Sequence, residues 1–267
     1  MNDDTAYQQI RFDYADGVGR IVLNRPATLN SFTEVMHDEI RSALDFLESR
    51  EDLRGLILTG TGRGFCAGQD LTERKPLPAG ERRDLSEGLM KNYRPLVLRL
   101  KELPVPVVCF VNGVAAGVGA SVALACDIVF AVQSARFIQA FSRIGLMPDG
   151  GATYFWPRLV GRQRTLGAAI FAEPIPAVQA EQWGLIWRCI PDDTLENTMQ
   201  DVQKQLANGA TRAYAAVKQA LNTSEGNTLE AQLELEAHLQ KALGYTDDYL
   251  EGMAAFAGKR PPSFTGR

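Results

Sequence analysis

Residues 106–132 read PVVCFVNGVAAGVGASVALACDIVFAV. The run from Pro106 to Val111 is continuous and apolar, as expected of a strand buried on both faces of a parallel sheet. It stops at Asn112-Gly113, and Ala115 to Ala125 reads as a small-residue helix. Ile128–Val132 follows as a further apolar strand. The stretch Val114–Val132 is nearly free of charge, which raises the question of a membrane span. Its tight cluster of glycines and Ser121, with Asp127 inside it, fits a buried helix and a buried strand better. Strand, glycine turn, helix and strand in that order predict an α/β fold with a parallel sheet.

Upstream, Ile10–Tyr14 and Arg20–Leu23 are β-prone runs around Asp16-Gly17 and predict a hairpin. Ser31-x-x-Glu34 matches a capping box. Val35, Ile40, Ala43, Leu44 and Leu47 then recur at helical spacing. Leu56–Thr59 predicts a short strand that runs into Gly60-Thr61-Gly62-Arg63-Gly64-Phe65-Cys66-Ala67-Gly68-Gln69-Asp70. Residues 72–87 are polar, with Pro76, Pro78 and Gly80, and are expected to form a mobile loop of the kind that covers sites. A helix is expected over Leu89–Lys101.

Downstream, Phe137–Gln139 predicts another strand. After Gly145 the pattern turns helical, with helices expected over 161–171, 176–183, 192–208, 211–222, 228–243 and 247–257, and one strand at Leu185–Ile190. Pro176 at the start and Gly184 at the end of the second follow the usual asymmetry of helix ends. Leu229, Leu233, Leu235, Leu239 and Leu243 form an apolar stripe suited to a core or a subunit contact. The expected division is a core domain over 1–205 and a C-terminal helical region over 206–267.

The chain has 267 residues, 28 Lys+Arg against 32 Asp+Glu, and a formal net charge of −4. That mild acidity argues against nucleic acid as a partner, because phosphate binding needs a concentrated basic face. The two histidines, His37 and His238, lie far apart, which argues against His-rich metal sites. The four cysteines, Cys66, Cys109, Cys126 and Cys189, show no metal-ligand spacing and read as reduced thiols of a cytoplasmic protein. The N-terminus has neither a basic nor an apolar segment of the signal-peptide kind.

Common nucleotide and hydrolase motifs fail in detail. Gly117-x-Gly119-x-x-Val122 lacks the third small residue of a dinucleotide fingerprint, and Asp127 comes too soon for the ribose acid. No Gly-Lys-Ser/Thr follows either glycine-rich turn. Gly119-Ala120-Ser121-Val122-Ala123 lacks the second glycine of a nucleophile elbow. What remains are two glycine-rich turns, each directly after a buried strand. They read either as tight structural turns or as a pair that aims two backbone N–H groups at one oxygen. In Gly145-Leu146-Met147-Pro148-Asp149-Gly150-Gly151, Asp149 reads either as a helix N-cap or as a carboxylate in an apolar pocket with a pKa raised into acid/base range.

Taken together, these elements resemble the crotonase superfamily, the enoyl-CoA hydratase/isomerase family. The resemblance rests on Leu23-Asn24-Arg25-Pro26 with Leu29-Asn30-Ser31-Phe32, and on Gly64-Phe65-Cys66-Ala67-Gly68-Gln69-Asp70-Leu71. Asn112-Gly113-Val114-Ala115-Ala116-Gly117, Cys126-Asp127-Ile128, Phe137 through Pro148, and Phe256 to Lys259-Arg260 extend it over nearly the whole chain. It implies a ββα superhelix around a parallel sheet, and a C-terminal helical region that forms trimers, often paired into hexamers. It also implies an acyl-CoA thioester as substrate, with no cofactor beyond the CoA of that substrate, and neither a nucleic acid nor a membrane as partner.

By the same resemblance, the backbone N–H groups of Gln69 and Val118 would form an oxyanion hole for the thioester carbonyl. Ala67, Gly68, Gln69, Asp70 and Leu71 would bind the CoA adenine and pantetheine, Gly117 and Phe141 would line the pocket, and Lys259 would meet a CoA phosphate. Hydratases of the family use two glutamates, and the matching positions here are Ser121 and Phe141. The remaining carboxylate is Asp149, kept dry by Phe141, Leu146 and Met147. A lone acid/base suits an isomerase that takes a proton from one carbon and returns it to another. Ala140-Phe141-Ser142 through Asp149 and Trp183-Gly184-Leu185-Ile186-Trp187 look most like the branch that converts a ring epoxide to an oxepin thioester in phenylacetate degradation. Relatives of that branch shift cis-3 double bonds to trans-2.

Overall fold

The computed structural model describes residues 7–73, 78 and 81–267. β1 (Ile10–Ala15) and β2 (Val18–Leu23) form the expected antiparallel hairpin, turning at Asp16-Gly17. α1 spans Glu34–Glu48. Its cap is Thr33 and not Ser31: the Thr33 hydroxyl accepts the Met36 N–H at 3.0 Å. Ser31 is drawn off by the buried Asp70 carboxylate, to which it donates at 3.2 Å, while Glu34 reaches outward to Lys91 and Asn92. The buried stripe of α1 is Met36, Ile40, Ala43, Leu44 and Leu47 with His37, and Val35 faces solvent.

β3 (Gly55–Gly60) and β4 (Gly64–Cys66) come next. α2 (Ser86–Gly88), a π-helical turn (Leu89–Tyr93) and α3 (Arg94–Glu102) follow without a break. Most of the first half of the expected mobile loop at 72–87 lies outside the described residues. β5 (Val107–Val111) leads to β6 (Val114–Ala116) and α4 (Val118–Ala125). Ala115 and Ala116 are therefore strand and not helix. Their pairing with β4 on one side and β8 on the other outweighs the helix preference of a small-residue run.

β7 (Ile128–Val132) and β8 (Arg136–Ile138) precede α5 (Ala152–Phe171), which starts earlier than expected and is interrupted at Gly161. β9 (Ile175–Pro176), α6 (Ala177–Trp183) and β10 (Arg188–Ile190) follow. Gly184 ends α6 in the left-handed conformation, as its position suggested. α7 (Leu195–Ala207), α8 (Thr211–Ser224), α9 (Leu229–Leu243) and α10 (Asp247–Ala257) close the chain.

The larger sheet has the order β1-β2-β3-β5-β7-β10 and the smaller β4-β6-β8-β9. β2, β3, β5, β7 and β10 run parallel to one another. Each of the pairs β3/β4, β5/β6 and β7/β8 places one strand in each sheet and then runs into helical backbone. The chain thus climbs through successive ββα turns, stepping one strand sideways in both sheets at once. Phe32, Phe65, Phe110, Phe137 and Trp156 are the largest fully buried side chains of the core, with Phe110 and Phe130 stacked at 4.9 Å. Each such side chain contributes about 1.5–3 kcal/mol through burial.

The stripe on α9 is not core: no residue of that helix is buried, and Leu229 and Leu233 are exposed. The chain end returns to the body, where the Asp248 carboxylate accepts the N–H groups of Thr265 and Gly266. Among the described residues no helix is long and apolar enough to cross a membrane. The charge-poor 114–132 stretch is β6, α4 and β7.

His37 is buried on α1, stacked on Phe32 at 5.0 Å and edge-on to Tyr93 at 4.6 Å. Burial pushes its pKa down from the ordinary 6.5 to about 4. The unfolded chain therefore takes up this proton first as pH falls. Stability is fully retained above pH 6.5 and declines towards pH 4, by about 3 kcal/mol in total. Urea midpoints between pH 7 and pH 4 should show this loss, and His37→Phe should remove that part of the slope.

Candidate active site

The two glycine-rich turns follow neighbouring parallel strands, β3 and β5; Asn112 ties them to each other, and Asn30 ties the first to the segment that follows β2. Asn112 Oδ1 accepts the Gly60 N–H at 3.2 Å, and its Nδ2 donates to the Gly62 carbonyl at 2.9 Å and the Gly64 carbonyl at 3.1 Å. Asn30 is fully buried and donates to the carbonyls of Thr61 at 2.9 Å and Gly64 at 2.8 Å. Both side-chain amides are satisfied by backbone, so Asn112 holds the first turn against the second and Asn30 holds it from the other side.

Within the first turn most N–H groups are used internally. Ala67 donates to the Leu29 carbonyl at 2.9 Å, Gly68 to Cys66 Sγ at 3.4 Å, and Asp70 to the Phe32 carbonyl at 2.9 Å. Phe32 N–H donates to the Gly68 carbonyl at 2.8 Å, completing a parallel bridge across from Gln69. In a parallel bridge the residues flanking the paired one make the bonds, so the Gln69 N–H points away from Phe32. It has no acceptor among the described residues.

Gly68 has φ +101°, and a Cβ there would stand 3.1 Å from the Ala116 carbonyl oxygen and 3.7 Å from Val118 N. Only glycine lets the two turns approach this closely. Gly117 (φ 54°, ψ −132°) then starts α4, leaving the Val118 N–H in the first helical turn, where no intrahelical acceptor exists. Two backbone N–H groups without an internal acceptor among the described residues, Gln69 and Val118, thus stand on adjoining turns. Val118 is buried, and the Phe141 ring lies against Gly117.

Asp149 arrives from a third direction. It is not the cap of α5, a role taken by Gly151 (φ 88°). Its carbonyl, not its carboxylate, accepts the Ala152 N–H at 3.1 Å and the Ser121 hydroxyl at 2.8 Å. Gly150 packs so tightly on α4 that a Cβ there would meet Val118 Cγ2 at 2.5 Å and Ser121 Cβ at 3.2 Å. Asp149 is therefore anchored by its main chain beside the first turn of α4, and its side chain does not cap α5. Its Oδ1 is shielded from solvent. Phe141 is buried and Leu146 half-buried, whereas Met147 is 68% exposed and does not shield the site in this chain.

The remaining residues expected at the site divide. The Asp70 carboxylate is consumed by the fold: Thr72 donates its hydroxyl at 2.6 Å and its N–H at 3.0 Å, and Arg25 pairs with it at 2.8 Å. The Thr72 hydrogen bond, then Arg25, hold it well below the usual carboxylate range, at about 2. Leu71 is exposed at the start of a short 3-10 turn. Lys259 is exposed beyond α10, its N–H bonded to the Phe256 carbonyl. Ser121 is fully buried and its hydroxyl contacts only backbone carbonyls among the described residues, so it has no base there to activate it. Burial pushes the Cys66 thiol up to about 12, which removes it as a nucleophile.

A sequence model of the enoyl-CoA hydratase/isomerase family matches residues 13–267. The chain belongs to this family. It is 48% identical over 251 residues to 1,2-epoxyphenylacetyl-CoA isomerase of Escherichia coli K12, covering 94% of this chain and 96% of that protein. It is 46% identical over 262 residues to a probable enoyl-CoA hydratase of Rhodobacter capsulatus, covering 98% and 100%. Among solved structures, enoyl-CoA hydratase from Bacillus anthracis superposes with a TM-score of 0.90 at 31% identity, covering 97% of this chain and 100% of that one. The fold is thus the crotonase fold, and the protein is an enzyme of the enoyl-CoA hydratase/isomerase family.

Sequence patterning missed the residues that hold this family's glycine turns in place here. Asn30 and Arg25 were legible only as parts of a motif. Tyr93, whose hydroxyl donates to Gln69 Oε1 at the first turn, carried no signal, because only the tertiary fold brings positions 69 and 93 together.

Proposed function

We propose that this protein is an acyl-CoA isomerase with a two-donor oxyanion hole, the backbone N–H groups of Gln69 and Val118, and a single acid/base, Asp149. The observation that carries the reading is the placement of Asp149. Its backbone is clamped to α4 one turn from Val118, and its carboxylate is left out of the helix cap. Ser121 and Phe141 occupy the two positions where hydratases of the family carry glutamates.

Removal of the α-proton of an acyl thioester places negative charge on the carbonyl oxygen. Preorganised N–H donors stabilise that charge, each worth about 2.7–4 kcal/mol in comparable holes. For a 3-enoyl substrate, Asp149 takes a proton from C2 and the electron pair moves through the thioester to its oxygen. The same carboxyl group returns a proton to C4, so the double bond moves from C3=C4 to C2=C3. No cofactor beyond the CoA of the substrate enters this scheme. The preferred acyl group in this reading is the 1,2-epoxide of phenylacetyl-CoA, converted to its oxepin isomer, with cis-3 to trans-2 enoyl isomerisation alongside. The name of the Escherichia coli relative at 48% identity supports it.

CoA itself would lie along Ala67–Leu71. Since the N–H groups of Ala67, Gly68 and Asp70 are occupied, carbonyl groups and the N–H groups of Gln69 and Leu71 are what that segment offers it. Lys259, brought by a neighbouring subunit, would meet a phosphate. Self-association through the C-terminal helical region, to a trimer or hexamer, is part of the proposal. The exposed Leu229, Leu233, Leu250, Met253 and Phe256 of α9 and α10 support it.

The test is a panel of CoA thioesters assayed side by side. Ring-epoxide expansion and 3-enoyl isomerisation should proceed, with crotonyl-CoA hydration slower by at least about 100-fold, the scale of a missing acid/base pair. Hydration as fast as isomerisation would favour the hydratase named by the Rhodobacter relative. Tight binding without turnover of any ester would leave a non-catalytic acyl-CoA binder.

A further inference from the structure

The Gln69 side chain is held at both ends. Its Nε2 donates to the Phe32 carbonyl at 3.1 Å, and its Oε1 accepts the Tyr93 hydroxyl. Phe32 is also the residue whose N–H and carbonyl bracket Gln69 through Gly68 and Asp70. The peptide and the side chain of Gln69 are therefore both referenced to the same short piece of backbone. Tyr93 supplies the other end, and it is itself rigid. Its ring is 5% exposed and stands edge-on to Phe32 at 5.7 Å and to His37 at 4.6 Å.

Tyr93 closes the π-helical turn Leu89–Tyr93. A π turn inserts an extra residue into the helix and re-aims the side chains that follow, a device common at functional sites. Here it delivers a hydroxyl to the oxyanion turn from the helix that leads into α3. The mechanism proposed above uses only the Gln69 N–H and has no role for the side-chain amide or for Tyr93.

We propose that Tyr93 is a positioning residue which, through the Gln69 side-chain amide, fixes the direction of the Gln69 N–H towards the thioester oxygen. The inference rests on the reading of that N–H as an oxyanion donor. The charge on the oxygen develops only as the proton leaves, so misdirecting the donor lowers kcat more than it weakens substrate binding.

Tyr93→Phe keeps the ring contacts and deletes the hydroxyl. Its kcat should fall roughly ten- to hundredfold, the scale of a slightly misplaced catalytic group, with KM within about twofold. A second readout is the carbonyl stretch of a bound, unreactive, isotope-labelled saturated acyl-CoA. The stretch should be lowered in the wild type and return part-way to its free value in Tyr93→Phe. Gln69→Met, which retains the backbone N–H, should show the same defect, and adding Tyr93→Phe to it should cost nothing more. A lowered stretch that survives Tyr93→Phe, or a variant that loses only thermal stability, overturns the role of Tyr93 alone. A wild-type protein that binds the ester without lowering its stretch overturns the oxyanion reading together with this inference.

Discussion

Asp149→Asn is expected to lower isomerisation turnover about 10²–10⁴-fold, the range for loss of a general acid/base, while leaving the affinity for CoA esters close to that of the wild type. The geometry makes this a conservative substitution. Asn is isosteric with Asp, and what anchors residue 149 is its main chain: the carbonyl receives the Ser121 hydroxyl and the Ala152 N–H, and Gly150 packs on Val118 and Ser121. None of these contacts involves the carboxylate. Substrate affinity in the proposed scheme comes from the first glycine turn and the oxyanion donors, which the substitution leaves in place. Steady-state kinetics on a 3-enoyl-CoA, with ester binding measured separately by calorimetry, would show a large change in kcat and a small change in Kd. Turnover close to that of the wild type would reject Asp149 as the acid/base. Equal losses in binding and turnover would show that the carboxylate helps to shape the pocket instead.

The largest stability effect is expected at Lys218→Met. Lys218 reaches from α8 into the body, where only 7% of its side chain is exposed. It donates to the carbonyls of Leu100 at 2.9 Å and Val105 at 3.1 Å, and pairs with Asp127 at 2.7 Å. Burial lowers its pKa, and the neighbouring Asp127 works in the opposite direction. Removing the ammonium leaves two carbonyls and a largely buried carboxylate with diminished partners. The cost of breaking such a pair from one side is about 3–5 kcal/mol. Asp127 would retain the Val107 N–H at 2.8 Å and Lys101 at 3.6 Å, which places the loss towards the lower end. Urea unfolding would measure it. The double variant Lys218→Met with Asp127→Asn should lose less than the single one, because the stranded charge is gone. Activity per folded molecule should be unchanged in both, since the pair braces the entry to β5 and touches neither glycine turn.

The same pair accounts for an oddity of the sequence. Asp127 interrupts an apolar stretch, and no neighbour in the chain explains it. Its partner, Lys218, comes much later, on a helix whose own pattern reads as ordinary. Capping failed for a related reason. Ser31 and Glu34 match a capping box, yet the buried carboxylate of Asp70 takes Ser31, and Lys91 and Asn92 take Glu34, so Thr33 caps α1. Both residues have the right local chemistry, and long-range partners outcompete it. Ala115 and Ala116 show the same effect in the backbone: small residues suited to a helix become strand because β4 and β8 lie on either side.

The sequence by itself determined the parallel α/β class, the two strand–glycine-turn units and the absence of glutamates at 121 and 141. These depend on local composition and on the order of motifs, which a linear reading preserves. Through the resemblance it also pointed to Asp149 as the acid/base proposed above, but left open whether that carboxylate caps a helix. Only the tertiary structure decided that point, by giving the cap to Gly151 and fixing the Asp149 carbonyl on Ser121. It also decided which N–H groups of the first turn are left over, because that depends on Leu29 and Phe32 arriving from another element to accept or bracket the rest. A backbone donor is chemically the same at every residue, so its availability is set by what the fold places opposite it.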